Sequence, residues 1–289
     1  NGRNFTQLGT LLPGAVPPPA RWAAQTGAGS NGFSINGQRT QSNNFLLDGV
    51  TNNDLIFSGY AVTPPPDALD QFKILTSLYS AEYGNNSGSI VNVVTKAGTN
   101  AFHGRAWNFL RNDALDAREF FSVTRPPLRQ NQYGVTAGGR VVEDRTFFFA
   151  YYEGLRARVG TVQNVVVLTG AQRQGNLAGL APAARDPLTG QPFANGVIPP
   201  SRMDPIASRL LERLAPPVNF GTNRFNRALT VATDGEQSGG RVDHRFSDAS
   251  ALFARYAYAP NQTFDPAGGA NFSPAGSSAI DHNHSAVVS

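Results

Sequence analysis

The stretch from Ser80 to Arg111 constrains the fold of this chain most, because two different β-patterns meet inside it. A Gly- and Ser-rich turn leads into Ser89–Thr95, whose β-branched residues predict a short strand. A Lys-Ala-Gly-Thr-Asn turn follows, and a second strand then carries Trp107 and Phe109. Long strand pairs occur only after Gly98. The sequence therefore predicts a boundary near Gly98 between a compact first unit and a second unit built from long strands.

The composition favours a β-rich protein and excludes several other classes. Apolar residues make up 40% of the 289 residues and charged residues only 15%, which is too apolar for general disorder. The 30 Gly and 20 Pro residues are too many for a helical bundle, whereas the 19 Phe residues suit pleated surfaces. No apolar run approaches the roughly 18–20 residues that a membrane-spanning helix needs.

Charge and cysteine content narrow the possible partners. The 24 Lys and Arg residues are scattered and the net charge of +4 is modest, so we expect no nucleic-acid partner. The chain has no cysteine, which excludes a disulfide framework and any thiolate metal site. Neither an initiating Met nor a signal peptide stands at Asn1, so either the mature protein begins here or the chain is a fragment, and we favour the fragment.

Residues 1–98 predict a compact α+β unit. Phe33–Arg39 predicts a strand that enters a turn, and Asn43–Val50 predicts a second strand in which Asp48-Gly49 is a hairpin signal. After a proline run, we expect Asp67 to cap a short helix that passes into the strand Gln71–Leu75.

Residues 99–289 predict long antiparallel strands with two different faces. The clearest hairpin joins Asn131–Val142 to Thr146–Arg158 through a turn at residues 143–145. In its first arm the residues of one face are Tyr133, Val135, Ala137 and Val141, and those of the other include Thr136 and Arg140. Such alternation fits a transmembrane wall with lipid on one side and water on the other. Aromatic residues at 147–149 occupy both faces, so the orientation of the second arm stays open.

A second hairpin and one long connection follow. Ser238–Phe246 and Ala249–Ala259 predict the hairpin, and Ser285–Val288 predicts the start of a further strand. Residues 161–225 predict a long loop that contains one helix, Ile206–Leu214. Loops of this length are usually functional or, in membrane barrels, extracellular.

No motif supports catalysis, a cofactor or a metal ion. Gly27–Gly32 matches the spacing G-x-G-x-x-G, but a predicted strand rather than a helix follows it, which disfavours nucleotide binding. His282 and His284 point the same way on a strand, yet nothing in the sequence completes a ligand set. Carboxylate pairs such as Asp67 and Asp70 occupy positions that a cap or turn explains. We therefore predict no enzyme activity, no cofactor and no metal site.

Three blocks of the sequence resemble TonB-dependent outer-membrane receptors, in particular the Oar-like subgroup. The first block consists of Ile35–Arg39 and Phe45–Val50. The second consists of Asp67–Leu75, Tyr79–Gly84 and Gly88–Lys96. The third consists of Asn131–Arg140 and Asp144–Gly154. The first resembles the paired strands of a plug domain, the second the end of the plug, and the third early barrel strands. Phe72–Ser77 stands where many transporters carry a Glu and then Gly-Pro, which favours the Oar-like subgroup over siderophore or cobalamin transporters.

The resemblance implies a fold and a set of partners. It implies an α+β plug domain at residues 1–98, with an incomplete N-terminus, followed at residues 99–289 by antiparallel strands of a partial outer-membrane β-barrel. Ligand would bind outward loops, and a TonB energy-coupling complex would rearrange the plug without any covalent step. The implied partners are TonB, outer-membrane lipid and an unknown ligand, which could be a small molecule, a glycan or a protein.

The resemblance also directs attention to three segments as candidate ligand contacts. Two are the plug loops Gly37–Asn44 and Asn52–Pro66, and the third is the long segment at residues 161–225. The candidate contact residues in the plug loops are Arg39, Gln41, Asn43, Asn53 and Tyr60.

Length adds a physical constraint to the resemblance. Barrels of this family have about 22 strands, and the residues after Gly98 suffice for about five or six. An open sheet would present unpaired edges, which lipid does not tolerate. We therefore expect the rest of the barrel to lie C-terminal, and the TonB box to lie N-terminal, of this chain.

Two other classes stay open at the level of the sequence. A secreted β-rich adhesin or carbohydrate-binding protein would be soluble and monomeric without detergent. A β-rich hydrolase would need a convergent polar site, which the sequence does not reveal.

Overall fold

Two compact units make up the chain. The computed structural model describes residues 5–17, 33–54, 59–77, 79–84, 86–117, 125–180, 182–266 and 277–289. The first unit comprises Asn1–Val159, Val231–Asp265 and Ser277–Ser289, and the second comprises Gly160–Thr230 and Pro266–Gly276. The G-x-G-x-x-G segment at residues 27–32 lies outside the described residues.

A four-stranded sheet, here called the plug sheet, organises the N-terminal part of the first unit. Two short strands, β1 (Ala15–Val16) and β2 (Ser34–Ile35), form an antiparallel pair of their own. The plug sheet consists of β3 (Asn44–Leu47), β4 (Val50–Thr51), β5 (Leu69–Leu75) and β6 (Ile90–Thr95), in the order β4-β3-β6-β5. β3 and β6 run parallel, whereas β3–β4 and β5–β6 are antiparallel. The two strands of the first resemblance block are thus not paired with each other, since β2 pairs with β1.

The predicted hairpin at Asp48-Gly49 is confirmed, and it is tied to β6. Asp48 and Gly49 have φ angles of 51° and 82°, the left-handed region that two-residue hairpin turns require. The carboxylate of Asp48 accepts hydrogen bonds from the backbone N–H of Thr95 at 2.8 Å and from its hydroxyl at 2.9 Å. The turn that joins β3 to β4 is therefore fixed to the end of the central strand.

The helical elements among the described plug residues are short 3₁₀ turns: Phe5–Leu11, Thr40–Ser42, Pro66–Ala68 and Ala81–Tyr83. The expectation that Asp67 caps a helix is wrong, because Pro65 holds the capping position and Asp67 lies inside the turn. The proline run keeps the chain extended up to Pro65, and proline suits the first position of a helical turn.

Aromatic and aliphatic side chains fill the core of the plug. The buried members of this cluster are Phe5, Phe33, Ile35, Phe45, Leu47, Tyr60, Val91 and Val93. The ring of Tyr60 packs edge-on against Phe45 with centroids 5.6 Å apart. Burying such side chains contributes about 1.5–3 kcal/mol each, so these residues hold the irregular N-terminal segment on the sheet.

Six antiparallel strands in chain order form the second sheet, here called the wall sheet. They are β7 (His103–Asn112), β8 (Leu128–Val142), β9 (Thr146–Val166), β10 (Arg224–Ser247), β11 (Ser250–Asp265) and β12 (Ser277–Val288). Tight turns at residues 143–145 and 248–249 connect strands at one end of the sheet, where the strands begin or finish, and this end is here called the turn edge. Longer connections lie at the opposite end of the strands. The strands run further than their predicted ends, so the long connection covers residues 167–223 rather than 161–225.

The two faces of the wall sheet differ as the alternation predicts. The face on which the plug sheet lies, here called the inward face, carries buried residues such as Trp107, Thr136 and Arg255. The outward face carries exposed apolar residues such as Val135, at 47%, and Val141, at 65%. The orientation left open in β9 is settled, because Phe149 and Tyr151 are buried on the inward face. Apolar residues outside and polar ones inside are typical of a membrane barrel.

Ion pairs lie on the outward face where β9 and β10 extend beyond the apolar band. Arg156 pairs with Glu236 at 2.5 Å, and Arg158 pairs with Asp234 at 2.8 Å. These strands have 21 and 24 residues, whereas about 9–11 residues span a bilayer. Because charged side chains are unfavourable on a lipid face, the ion pairs indicate where the strands leave the membrane.

The second unit consists mainly of the long connection between β9 and β10. Its described α-helices are Gly170–Arg173 and Pro205–Leu214, and Ala194–Gly196 and Pro200–Arg202 are 3₁₀ turns. The carboxylate of Asp204 caps the helix Pro205–Leu214 by accepting hydrogen bonds from the N–H groups of Ile206 and Ala207. Arg202 donates two hydrogen bonds to Asp186, at 2.8 and 2.9 Å. Among the described residues, no helix combines the length and apolarity that crossing a membrane requires.

We expect acid to loosen the connection around Asp186. The two hydrogen bonds from Arg202, with one from the Leu188 N–H, hold the pKa of the Asp186 carboxyl below its usual range. Because the folded pKa is lowered, this stabilisation is present above the unfolded pKa of about 3.9 and is lost as the pH falls through the folded value. Hydrogen exchange of residues 186–198, corrected for intrinsic rates, should show the opening below about pH 4.

Asp186→Asn should abolish this pH dependence, because the amide does not titrate. Glu212→Gln, on the exposed face of the helix Pro205–Leu214, is the matched control and should leave the dependence unchanged. An acid opening that persists in Asp186→Asn would show that another group controls the connection.

Candidate functional site

The plug is fastened to the inward face of the wall by a buried ion pair. Nε of Arg255, on β11, lies 2.8 Å from Oδ2 of Asp48, and both side chains are only 1% exposed. The same guanidinium contacts the carbonyl of Leu47 in the plug at 3.4 Å and the hydroxyl of Ser285, on β12, at 3.2 Å. Arg255 therefore joins the plug hairpin to two strands of the wall.

A second arginine supports the same carboxylate less closely. Nη1 of Arg241, on β10, lies 3.4 Å from Oδ1 of Asp48 and donates to the carbonyl of Thr95 at 3.3 Å. Its remaining nitrogens bind Asp243, and its guanidinium lies 4.5 Å from the ring centroid of Phe253. Because Asp243 binds two of its nitrogens, the charge of Arg241 is compensated even without Asp48.

A separate contact fastens the other side of the plug. Asp67 accepts a 2.5 Å hydrogen bond from Arg105, on β7, and Nζ of Lys96 donates to the backbone carbonyl of Asp67 at 2.9 Å. Arg105 is 67% exposed, and exposed pairs of this kind contribute about 1 kcal/mol or less. Next to it, the fully buried Ala68 packs against Phe149 and Tyr151 of β9.

The inward face also carries buried polar groups of its own. Glu153 accepts hydrogen bonds from the indole N–H of Trp107 at 3.1 Å and from the amide of Gln132 at 2.9 Å. The hydroxyl of Tyr151 is buried and has no hydrogen-bond partner among the described residues. Its ring covers Gly239, where a Cβ would lie 2.6 Å from ring carbons. Buried polar groups are usually hydrogen-bonded, so the Tyr151 hydroxyl is an exception on this face.

A polar cleft of about 390 Å³ opens in the plug. Eight residues line it: Gln41, Ser42, Asn43, Asn44, Thr51, Asn53, Asn86 and Ser87. Asn43 donates to the carbonyls of Phe33 and Thr40 and accepts from both the N–H and the hydroxyl of Ser89. Asn53 donates to the carbonyl of Asn43 and accepts from the N–H of Phe45. These two amides fix the walls of the cleft.

The cleft lies at the end of the plug sheet away from the turn edge of the wall. β3 and β6 begin beside it and run in parallel toward Asp48 and Thr95. Beyond Thr95, Asn100 exchanges hydrogen bonds of 2.6 and 2.9 Å with Asp144, in the turn at residues 143–145. One end of the plug sheet is thus tied to the turn edge, and the cleft is at the opposite end.

The five predicted contact residues separate into two groups. Gln41, Asn43 and Asn53 line the same cleft. Arg39 is exposed at the start of the Thr40–Ser42 turn and is not among the lining residues. Tyr60 is 3% exposed and belongs to the aromatic core of the plug. The structure therefore brings three of these residues together and assigns Tyr60 a packing contact.

The two histidines on β12 pair with tyrosines. The hydroxyl of Tyr256 lies 2.7 Å from Nδ1 of His284, and that of Tyr258 lies 2.9 Å from Nδ1 of His282. These residues lie on the outward face of neighbouring strands. Within the described ranges, no group of three or more His, Cys, Asp or Glu side chains could hold a metal ion.

Sequence reasoning missed the ion pair that fastens the plug. It predicts Asp48 only as a turn residue, and it does not single out Arg241 or Arg255. The sequence does contain one indication of these arginines. Apolar and polar residues alternate along the strands, and this alternation places both arginines on the inward face of strands whose outward face is apolar. An inward arginine beside a buried plug needs a carboxylate partner, but the pattern does not say which one.

Together, a small domain seated on the inward face of a membrane-type wall is the arrangement of a plug domain followed by strands of an outer-membrane barrel. Two family models match: the TonB-dependent Receptor Plug Domain at residues 1–91, and the Outer membrane beta barrel domain at residues 94–289. The TonB-dependent transporter Oar of Myxococcus xanthus is 30% identical over 156 residues, which cover 51% of this chain and 14% of Oar. The outer membrane transporter YddB of Escherichia coli shares the fold, with a TM-score of 0.53 at 10% identity over 91% of this chain and 31% of YddB.

The chain belongs to the TonB-dependent outer-membrane receptors. Its fold is a plug domain followed by barrel strands, and its location is the outer membrane. The family is one of receptors and transporters, so these matches do not support the secreted adhesin or the hydrolase.

We expect Arg255→Met to loosen the plug more than Arg241→Met. Removing one partner of a buried pair costs about 3–5 kcal/mol, and Arg255 is the nearer and more deeply buried partner of Asp48. Arg241→Met should cost less than half as much, because Arg255 continues to compensate the Asp48 carboxylate. Hydrogen exchange of the β3 and β6 amides in the full-length receptor in detergent measures both losses. Equal losses would contradict the unequal roles of the two arginines.

Proposed function

We propose that this chain forms the plug and the first six wall strands of a transporter that admits ligand from outside the cell and is opened by TonB. The observation that carries the proposal is the seating of the plug hairpin on the inward face of the wall through Asp48 and Arg255. A domain held there obstructs the lumen until the contact is broken. The chain spans 14% of the length of Oar and 31% of YddB, so the activity of the whole protein is inferred from this part.

The orientation of the cleft supports entry of ligand from outside. Short turns of outer-membrane barrels face the periplasm, and long connections face outward. The plug sheet ends at Thr95, the chain then reaches the turn edge, where Asn100 bonds Asp144, and the cleft lies at the opposite end of the sheet. We infer that Gln41, Asn43 and Asn53 contact ligand from the outer side of the membrane, and that Arg39 lies beside the cleft.

The contacts between plug and wall suit a gate that opens with external work. Among the described residues they include the buried pair of Asp48 with Arg255, the longer contact of Asp48 with Arg241, an exposed pair at Asp67, and small apolar contacts such as Ala68. A buried pair that is separated without water leaves two uncompensated charges, and this resists spontaneous opening. Water that enters as the plug moves rehydrates both charges, so the barrier is finite and a pulling partner such as TonB could overcome it.

The junction between the two domains supports a boundary at residue 98. A Cβ at Gly98 would lie 2.6 Å from the carbonyl oxygen of Gly139, on β8, so the chain passes close against the wall there. We propose residues 1–98 as the plug and residues 99–289 as barrel, with the connection between β9 and β10 as a second, outward ligand contact.

Thiol labelling in cells tests the gate. Residues 1–289 contain no Cys, so a cysteine placed at Ala68, which is fully buried against the wall, reports separation of plug and wall. A small charged maleimide should label Ala68→Cys in cells with TonB at least several-fold faster than in cells without it. Gln41→Cys, in the exposed cleft, is the control and should be labelled at the same rate in both.

Equal labelling of Ala68→Cys with and without TonB would overturn the proposed gate. Failure to label Gln41→Cys from outside intact cells would overturn the proposed orientation of the cleft.

A further inference from the structure

We propose that Arg241 and Arg255 form a carboxylate-binding site of the wall, which Asp48 fills while the plug is seated and a small free carboxylate fills once the plug has moved. The existence of the site depends on the wall alone. Its use by a free carboxylate rests on the proposed function, in which plug and wall separate.

The two arginines are direct cross-strand partners on the inward face, Arg241 on β10 and Arg255 on β11. Residues placed opposite each other in an antiparallel sheet have Cβ atoms about 4.5–5.5 Å apart, so both guanidinium groups reach one place. The carboxylate of Asp48 lies there, with Oδ2 2.8 Å from Nε of Arg255 and Oδ1 3.4 Å from Nη1 of Arg241. Because Asp48 belongs to the plug, its carboxylate marks where an anion binds against the wall.

The charges of the wall at this place favour an anion when Asp48 is absent. Asp243 binds Nε and Nη2 of Arg241, whereas the Ser285 hydroxyl that contacts Arg255 is neutral. One carboxylate then faces two guanidinium groups, and like charges opposite each other are unfavourable. The planar guanidinium fork matches the geometry of a carboxylate, and the place is the size of the carboxylate that fills it.

Two buried donors near this place are not satisfied by the plug. Among the described residues, Nε of Arg255 makes no hydrogen bond of acceptable angle, although Oδ2 of Asp48 is 2.8 Å away. The hydroxyl of Tyr151 interacts electrostatically with both residues and has no hydrogen-bond partner in the described part of the chain. Thr95 fixes the orientation of the Asp48 carboxylate by bonding both of its oxygens. A free carboxylate lacks this constraint and can turn toward the donors of the wall.

Binding of a free carboxylate would favour the open state of the gate. While the plug is seated, Asp48 and Arg255 are both 1% exposed, so a solute does not reach the arginines. A ligand that binds one of two states shifts the equilibrium toward that state, and the shift grows with its concentration. Carboxylate in the medium should therefore prolong each opening of the plug.

Acetate binding to the full-length receptor in deuterated detergent, measured by saturation-transfer NMR, tests the site. Asp48→Gly suits the φ angle of 51° at this position, and it removes a group that acetate matches in size. We expect Asp48→Gly to bind acetate with a Kd below about 20 mM. The wild-type receptor, whose site is filled, and the neutral probe acetamide are the controls and should show no binding there.

The arginines should contribute unequally to this binding. Arg255→Met in the Asp48→Gly background should weaken acetate binding about tenfold or more. Arg241→Met in the same background should weaken it less, because Asp243 already binds Arg241. Absence of acetate binding in Asp48→Gly, or binding that is unchanged without Arg255, would overturn the site.

Labelling of Ala68→Cys in cells with TonB tests whether the open receptor uses the site. Acetate in place of chloride, at equal ionic strength and about 100 mM, should raise the labelling rate about twofold or more. The rate should not respond to acetate in Arg255→Met/Ala68→Cys, nor in the control Gln41→Cys. If Asp48→Gly binds acetate but acetate does not change labelling of Ala68→Cys, the use of the site in the open receptor is overturned. The proposed gate itself fails on a different result, namely labelling in chloride that does not depend on TonB.

Discussion

The buried carboxylate of Asp48 is the constraint on which the rest of the first unit depends. A charge that is 1% exposed is tolerated only with an opposite charge and with its oxygens hydrogen-bonded. Thr95 supplies hydrogen bonds from the plug itself, and Arg255 supplies the charge from the wall. Because the partners lie in different domains, burying this carboxylate requires that plug and wall be assembled together.

The alternation of the wall strands explains why an arginine is available at that point. One face of each strand must be apolar to meet lipid, and successive residues face opposite sides, so the other face is free to be polar. Arg241 and Arg255 are direct cross-strand partners on this inward face. Like charges placed opposite each other repel, and the shared carboxylate of Asp48, together with Asp243, offsets that repulsion.

The contact with the wall and the proposed ligand cleft lie at opposite ends of the plug sheet. The Asp48 end of the sheet is held to the wall by charged groups, whereas the cleft at the opposite end is lined, among the described residues, by amides and hydroxyls. β3 and β6 join the two ends over a few residues. The proposed ligand cleft and the ion pair at the wall are thus connected by the central strands of one small sheet, so we expect a shift of that sheet to move both ends.

Features that depend on local pattern could be predicted from the sequence. The hairpin at Asp48-Gly49, the change of pattern near Gly98 and the two faces of β8 follow from turn chemistry and alternation, which involve neighbouring residues only. The grouping of Gln41, Asn43 and Asn53 agrees with the predicted plug loops, although Tyr60 of the same loops is a core residue.

Features that depend on distant partners could not be predicted. Asp67 has the sequence features of a helix cap, but the proline run before it sets the start of the turn. Arg105 of the wall donates a hydrogen bond to the Asp67 carboxylate instead. β2 pairs with β1, and Asp48 pairs with Arg255. In both cases the whole fold, rather than the local sequence, brings the two segments together. No local propensity encodes such contacts, because loop closure and burial elsewhere determine which groups meet.

A double-mutant cycle on Asp48 and Arg255 measures whether their buried ion pair fastens the plug to the wall. The free energy of opening of the β3 and β6 amides would be measured by hydrogen exchange in the full-length receptor, in Asp48→Asn, in Arg255→Met and in the double variant. If the buried pair fastens the plug, the double variant should lose less than the sum of the single losses, with a coupling of about 1–3 kcal/mol. Additive losses, with a coupling near zero, would show that the two residues act independently and would contradict this account.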